Sequence, residues 1–404
     1  MSVPLLEPRE GLPPLVTTSE ALAEAIGRLG SGTGPVAVDA ERASGFRYGH
    51  RAFLVQFRRA GSGTVLIDPV TCPDLAGVDS VLADAEAVLH AAGQDLPCLS
   101  DLGYRPRRLF DTELAGRLLG YPRVGLGTLV SEVLGLTLEK SHSAADWSTR
   151  PLPLEWLRYA ALDVEVLVEL RDALAAQLLE QGKLSWAEQE FATVLAAKPA
   201  PPRPDPWRRT SGIHRVRSRR GLGIVRELWL ERDRIARHRD ISPTRILPDL
   251  AIVDAARAAP GTMEELGKLT GFTGRGARRY GPEWLRAIRR AKSMTEDELP
   301  ESSAPPSEGP PPAHRWAERD PIAAKRLTAV RGAVAALADA GHLPAENLLA
   351  PDAVRRLAWQ PPEPLEPEPI ADELRRYGAR PWQIEITATP IAMALLRLIE
   401  KGEA

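Results

Sequence analysis

The run Pro35-Val-Ala-Val-Asp-Ala-Glu41 is the tightest constraint on what this chain can fold into. Val36 and Val38 are β-branched and follow the loop sequence GSGTGP, so the run reads as a short buried strand. Side chains two apart on a strand share a face, which makes Asp39 and Glu41 project together. Two acids so placed raise each other's pKa and resist desolvation. Divalent cations would remove that penalty, and the fold must leave room for them.

Two further acids extend the pattern. Asp95 lies in VLHAAGQDLPCL, and Asp163 lies in PLEWLRYAALDVEVLVELRDALAAQLL, a long apolar-periodic segment that reads as a helix with Pro153 near its start. Tyr159 stands four residues before Asp163 on the same helical face, which sets a hydroxyl beside the carboxylate. Taken singly, each residue has an ordinary reading: Asp163 as an exposed helix acid, Tyr159 as an aromatic at the edge of a core. Asp111, in LFDTELAG, reads as a helix cap. Lys140, Trp147 and Arg150 are either packing and surface residues or a cation and a stacking plane for nucleic acid. Cys72 and Cys98 have no metal-type spacing, which argues against a disulfide framework or a zinc site.

In order and context these residues resemble the ribonuclease D family, part of the exonuclease group named for its Asp-Glu-Asp-Asp metal set. The first motif is Asp39-x-Glu41, the second His90 followed by Asp95, and the third Tyr159-x-x-x-Asp163. The connecting segments RYGHRAFLVQF, RRLFDTELAGRLLG and LEKSHSAADWSTRPL are similar as well. A sister group carries His five residues before the last Asp. Here that position is Arg158, so the resemblance implies the Tyr subtype, with His90 a structural residue and not a catalytic base.

The resemblance implies a 3′-5′ exonuclease that holds two Mg²⁺ or Mn²⁺ ions. Such a pair clamps the attacking and leaving oxygens of a phosphodiester, and hard oxygen ligands suit it. Asp39 would bridge both ions, Glu41 and Asp163 would complete one site, and Asp95 would hold the second mainly through water. Tyr159 would orient the attacking water. Nucleoside 5′-monophosphates would leave from the 3′ end of RNA, with tRNA precursors the typical substrate. A DNA exonuclease of the same superfamily is the alternative, because nothing in the acids separates ribose from deoxyribose. A nuclease-inactive nucleic-acid-binding protein is disfavoured by the intact set of five residues.

At 404 residues the chain exceeds one ordinary core and suggests two to three domains. The expected boundaries are an exonuclease domain over 1–198, a Pro/Arg linker over 199–212 and a helical domain over 213–294. An acidic flexible linker over 295–313 and a C-terminal helical domain over 314–404 follow. The nuclease part reads as α/β from the strands VAVDAE, AFLVQFRR, TVLIDP, AVLH and RLF. Short links make the first three antiparallel, and longer crossovers make the rest parallel. That agrees with the ribonuclease H-like fold, a mixed five-stranded sheet, that the resemblance implies. The two helical domains are all-α: 213–294 resembles the helical module shared by helicases and ribonuclease D (HRDC), and the last region resembles a second such repeat.

A formal charge of −2 suits nucleic-acid work poorly until it is resolved along the chain. Ile213 to Lys292 carries nineteen Lys and Arg against nine Asp and Glu, whereas Ser293 to Ala313 carries five acids and no base. A basic module of that kind fits phosphate binding. Arg275, Arg278 and Arg279, in the turn GFTGRGARRYG, are its candidate contacts. No apolar run reaches the ~18 residues of a membrane span, and MSVPLLEPREGLPPL lacks the pattern of a secretory signal. A cytoplasmic monomer with RNA, or DNA, as partner and no membrane association is the expectation.

Overall fold

The computed structural model describes residues 2–138, 142, 144–199, 201–303 and 309–400. Its first half is built on a mixed sheet. In chain order the strands are β1 (Val3–Leu5), β2 (Leu15–Val16), β3 (Thr33–Arg42), β4 (Ala52–Ala60), β5 (Gly63–Ile67), β6 (Glu86–Leu89), β7 (Arg108–Asp111) and β8 (Leu136–Leu138). The main sheet runs β2-β5-β4-β3-β6-β7, and β1 pairs with β8 in a separate parallel ribbon. As the link lengths predict, β3-β4 and β4-β5 are antiparallel while β3-β6 and β6-β7 are parallel. The five strands read from the sequence are joined by a sixth. Leu15–Val16 adds in parallel to β5, and two residues are too few to show a period.

The segment from Pro153 onward is two helices, Leu154–Glu165 and Leu167–Glu180, broken at Val166. The break lets one continuous apolar pattern serve two cores. Leu157, Ala160 and Ala161 pack with Phe53, Leu54, Leu66 and Trp147 on one face of the sheet. Leu167, Leu170, Leu174 and Leu178 instead enter the main core. The small Ala160 and Ala161 are fully buried, which lets the first helix lie close over β3, β4 and β5.

That main core also takes in the last helical region, including Leu327, Val330, Leu357, Ile370, Leu374 and Ile391. The junction is tied by Glu190, at 8 % exposure on the helix Leu184–Ala196. Its carboxylate accepts two hydrogen bonds from Arg380, at 2.7 and 2.6 Å, and one from Trp382 Nε1 at 2.9 Å. The Trp382 ring stacks on Trp186 at 4.7 Å. By contrast, the basic helical region has a core of its own, around Val225, Leu228, Ile252, Trp284 and Ile288. It meets the sheet domain chiefly at the loop after β3. Tyr48 Oη donates to Asp233, Ser242 N donates to the Phe46 carbonyl, and Arg51 pairs with Asp240.

Both segments read as linkers are more structured than composition implies. Trp207 is buried in the core of the basic region, anchoring the end of 199–212. In 295–313, residues 304–308 lie outside the described residues, but Leu299 is buried, and the Glu296, Leu299 and Pro300 carbonyls accept from Arg219. Glu296 and Glu301, though exposed, pair with arginines of the helix Arg219–Arg239, a tertiary contact that local composition cannot reveal. Replacing Glu190 by Ala strands Arg380 and Trp382 Nε1 without their acceptor. The expected cost is about 3 kcal/mol, the scale for breaking one half of a buried pair, read as a shifted midpoint in urea unfolding.

Candidate active site

Strand β3 delivers Asp39 and Glu41 to the same face, and the helix Leu154–Glu165 crosses above them carrying Tyr159 and Asp163. Asp39, Glu41 and Asp163 each bring a carboxylate oxygen within 4.8 Å of the others. Asp95 arrives from the turn after β6, at 5 % exposure, and its charge bears directly on Asp39 and Glu41. All four acids and Tyr159 therefore converge, although they span 124 residues of sequence between Asp39 and Asp163.

The convergence is electrostatically strained. Burial is the largest cause raising each acid, Asp39 to about 6 and Asp95 to about 7. Glu41 stands well above the carboxylate range through burial first and then the charges of Asp39, Asp163 and Asp95. Asp163 is raised by burial and Asp39, and a hydrogen bond from Tyr159 opposes the rise. The Tyr159 phenol is itself pushed up, by burial and then by Asp163, Glu41 and Asp39, so it stays protonated at neutral pH. This set suits divalent cations: several hard oxygens converge at one point with too few cations among the described residues to offset them. Asp95 Oδ1 is a further sign, being buried without a hydrogen-bonded partner among the described residues. Arg42 Nη2 approaches it at 3.1 Å as an ion pair, without hydrogen-bond alignment.

Two positioning residues escaped the sequence reading in whole or part. Arg42, next to Glu41, donates to the Gln94 carbonyl at 2.9 Å and so clips the Asp95 turn to β3. Asp111 caps the helix Thr112–Leu118 as expected, accepting from Glu113 N and Leu114 N. It also accepts from Ala91 N and Ala92 N, at 3.1 and 2.8 Å, holding the left-handed Ala91 that opens the Asp95 turn. An acid that ends a strand signals a cap but not a second client across the sheet. His90 Nδ1 meets the Thr112 hydroxyl at 2.9 Å, and burial lowers its pKa to about 4, consistent with a neutral structural residue.

The nucleic-acid candidates divide. Lys140 lies outside the described residues. Trp147 cannot offer a stacking plane, because it is fully buried, packed on Trp156 and Tyr159. Arg150 is likewise a structural knot: it binds both oxygens of Asp68 at 2.7 Å and the carbonyls of Phe53, Trp147 and Thr149. In sequence both looked available only because a buried aromatic and a paired arginine leave no local trace. Arg275, Arg278 and Arg279 are exposed and take part in no ion pair among the described residues, and Arg279 lies over the Tyr280 ring. Nearby Arg286 and Arg290 are instead paired with Glu283 and with Glu227 and Glu231.

Residues 13–179 match the family model described as 3′-5′ exonuclease. Residues 221–288 match the HRDC domain, and 309–395 match a third, the 3′ to 5′ exonuclease C-terminal domain. Ribonuclease D of Acidiphilium cryptum is 32% identical over 354 residues, covering 86% of each chain. The chain belongs to the ribonuclease D family. It is a hydrolytic 3′-5′ exonuclease with an α/β nuclease core followed by helical regions. A crystal structure of a protein from Bifidobacterium adolescentis superposes with TM-score 0.90 at 38% identity, over 98% of this chain and all of that one. The ribonuclease D of Escherichia coli, described as an exoribonuclease involved in structured RNA processing, gives 0.68 at 26%, over 96% and 98%. No helix among the described residues is long and apolar enough to cross a membrane.

Acids whose folded pKa is raised keep protons that the unfolded chain has lost. The cation-free protein should therefore lose stability as pH rises from about 4 toward the values near 6 and 7 given above. Melting curves in EDTA should show that fall, a double change Asp39→Asn with Asp95→Asn should make it shallower, and added Mg²⁺ should reverse it above pH 7.

Proposed function

We propose that the protein is a divalent-cation-dependent 3′-5′ exoribonuclease that trims the 3′ ends of tRNA precursors or other structured RNA in the cytoplasm, releasing nucleoside 5′-monophosphates. The observation that carries this reading is the meeting of Asp39, Glu41 and Asp163 within 4.8 Å, with Asp95 beside them. These four acids would hold a pair of Mg²⁺ or Mn²⁺ ions, which would supply Lewis-acid polarisation and lower the pKa of a water. The protein's own part is placement. Tyr159 stays a phenol, donates to Asp163, and keeps an oxygen lone pair with which to orient the attacking water. Arg42 and Asp111 fix the turn that carries Asp95, so the fourth acid meets the other three without a conformational search.

RNA as substrate is supported by the ribonuclease D relatives, the Escherichia coli exoribonuclease among them. The two helical regions supply the remaining logic. In the first, a cavity of about 640 Å³ is lined by His214, Arg215, Arg217, Ser218 and Arg257, and the exposed Arg275, Arg278 and Arg279 add further charge. In the second, the order of long helix, one-turn helix and short helix (Pro321–Ala340, Ala345–Leu348, Pro351–Trp359) repeats that of Arg219–Arg239, Pro243–Ile246 and Asp249–Ala258. This supports a second HRDC-like repeat. Packed against the nuclease, it would set the distance between the site and the body of a folded RNA.

Asp39→Asn and Asp163→Asn should each abolish release of 5′-monophosphates from a 3′-extended tRNA while circular dichroism stays unchanged. Trimming that survives both changes would refute the proposal. Matched RNA and DNA with 3′ overhangs, digested with Mg²⁺, Mn²⁺ or EDTA, should show RNA-selective, EDTA-sensitive shortening. Tyr159→Phe should slow the chemical step by about a hundredfold or more. Changing Arg275, Arg278 and Arg279 together to Ala should reduce the dependence of log affinity on log salt by up to roughly two units, with cleavage of very short oligomers unaffected.

A further inference from the structure

Gln56 is fully buried on β4, and neither Oε1 nor Nε2 has a hydrogen-bond partner among the described residues. Leaving such an amide unsatisfied is expensive, and an apolar side chain of the same shape would avoid the cost. Its position tells what it is for. In the β3-β4 ladder Gln56 stands directly opposite Asp39, and directly opposed residues share a face with their Cβ atoms about 5 Å apart. Its neighbours on that face fix its height beneath the crossing helix. Leu54, two residues before, packs with Leu157, Ala160 and Ala161, while Arg58, two residues after, reaches Glu165 at 3.2 Å. Gln56 therefore lies between these levels, under the turn of helix that brings in Asp163.

We infer that Gln56 is a positioning residue of the carboxylate site: its amide Nε2 donates a hydrogen bond to the Asp39 carboxylate, directly or through one buried water, when cations hold that acid ionised. The inference rests on the cation-dependent reading above. Asp39 has no side-chain hydrogen-bond donor among the described residues. Its partners are its own strand's backbone and the charge of Arg42, whereas Asp163 has Tyr159. A neutral donor behind Asp39 would fix which oxygen faces the cations without adding a positive charge to compete with them. Groups that orient ligating carboxylates in this way typically change metal affinity or activity by 10- to 100-fold when removed.

Gln56→Met keeps volume and removes both polar atoms. Mn²⁺ binding by calorimetry, thermal melting in EDTA, and KM and kcat on a 3′-extended RNA would be measured for this variant and the unmodified protein. The expected result is Mn²⁺ affinity weaker by about tenfold or more, kcat lowered with KM little changed, and a melting temperature equal to or above that of the unmodified protein. Unchanged Mn²⁺ affinity and kcat would overturn the inference. So would a variant that melts markedly lower or does not fold, since the amide would then serve the core. If the unmodified protein binds no Mn²⁺, the cation-dependent reading itself fails, an outcome separable from the others by that control.

Discussion

Four carboxylates crowd into one poorly solvated pocket, and everything around them is arranged to tolerate their mutual repulsion. The four acids arrive on three kinds of support: a central strand that carries two of them, a turn pinned from two sides, and a helix seated on alanines. None of these supports brings a cation deep into the cluster. Among the described residues Arg42 is the cation that reaches them, and it is spent on the turn and the edge of Asp95. The pocket thus holds its acids partly protonated until something better than a proton arrives, which is how a buried site stays both foldable and ready to bind.

Most of the nuclease fold was legible because its signals are local. The valine run of β3, the short links between strands and the 3.6-residue pattern of the helices each follow from neighbouring residues, and together they fix a mixed sheet. The acids were legible too, since their contexts carry family resemblance beyond their spacing. What could not be read depends on partners far away in sequence. Trp147 and Arg150 look like nucleic-acid contacts until Trp156 and Asp68 are seen against them. Arg42 and Asp111 look like a strand residue and a cap until the Asp95 turn is brought to them. The stretch after 295 looks free of tertiary contacts until Arg219 and Arg220 are laid alongside it.

The two helical regions are joined to the nuclease by different physics. The later one shares its apolar core, which is non-directional and hard to separate in water. The earlier one keeps its own core and meets the nuclease through side chains such as Tyr48, Arg51, Asp233 and Asp240, contacts that are directional and sensitive to salt. Those contacts fall on the loop that leaves β3. Phe46 of that loop packs in the same cluster as Tyr159, so the placement of the basic region and of Tyr159 share one structural support.

The clasp at Glu190 has a consequence for how the enzyme is made. Its acceptors are presented by the nuclease, but Arg380 lies 190 residues further along the chain. At the usual speed of synthesis, about 5–20 residues per second, the nuclease half leaves the ribosome roughly 10–40 s before the arginine that neutralises it. During that interval a buried-to-be carboxylate and the apolar face around Trp186 stay in water. The catalytic half is therefore completed late, by a segment that carries none of its chemistry.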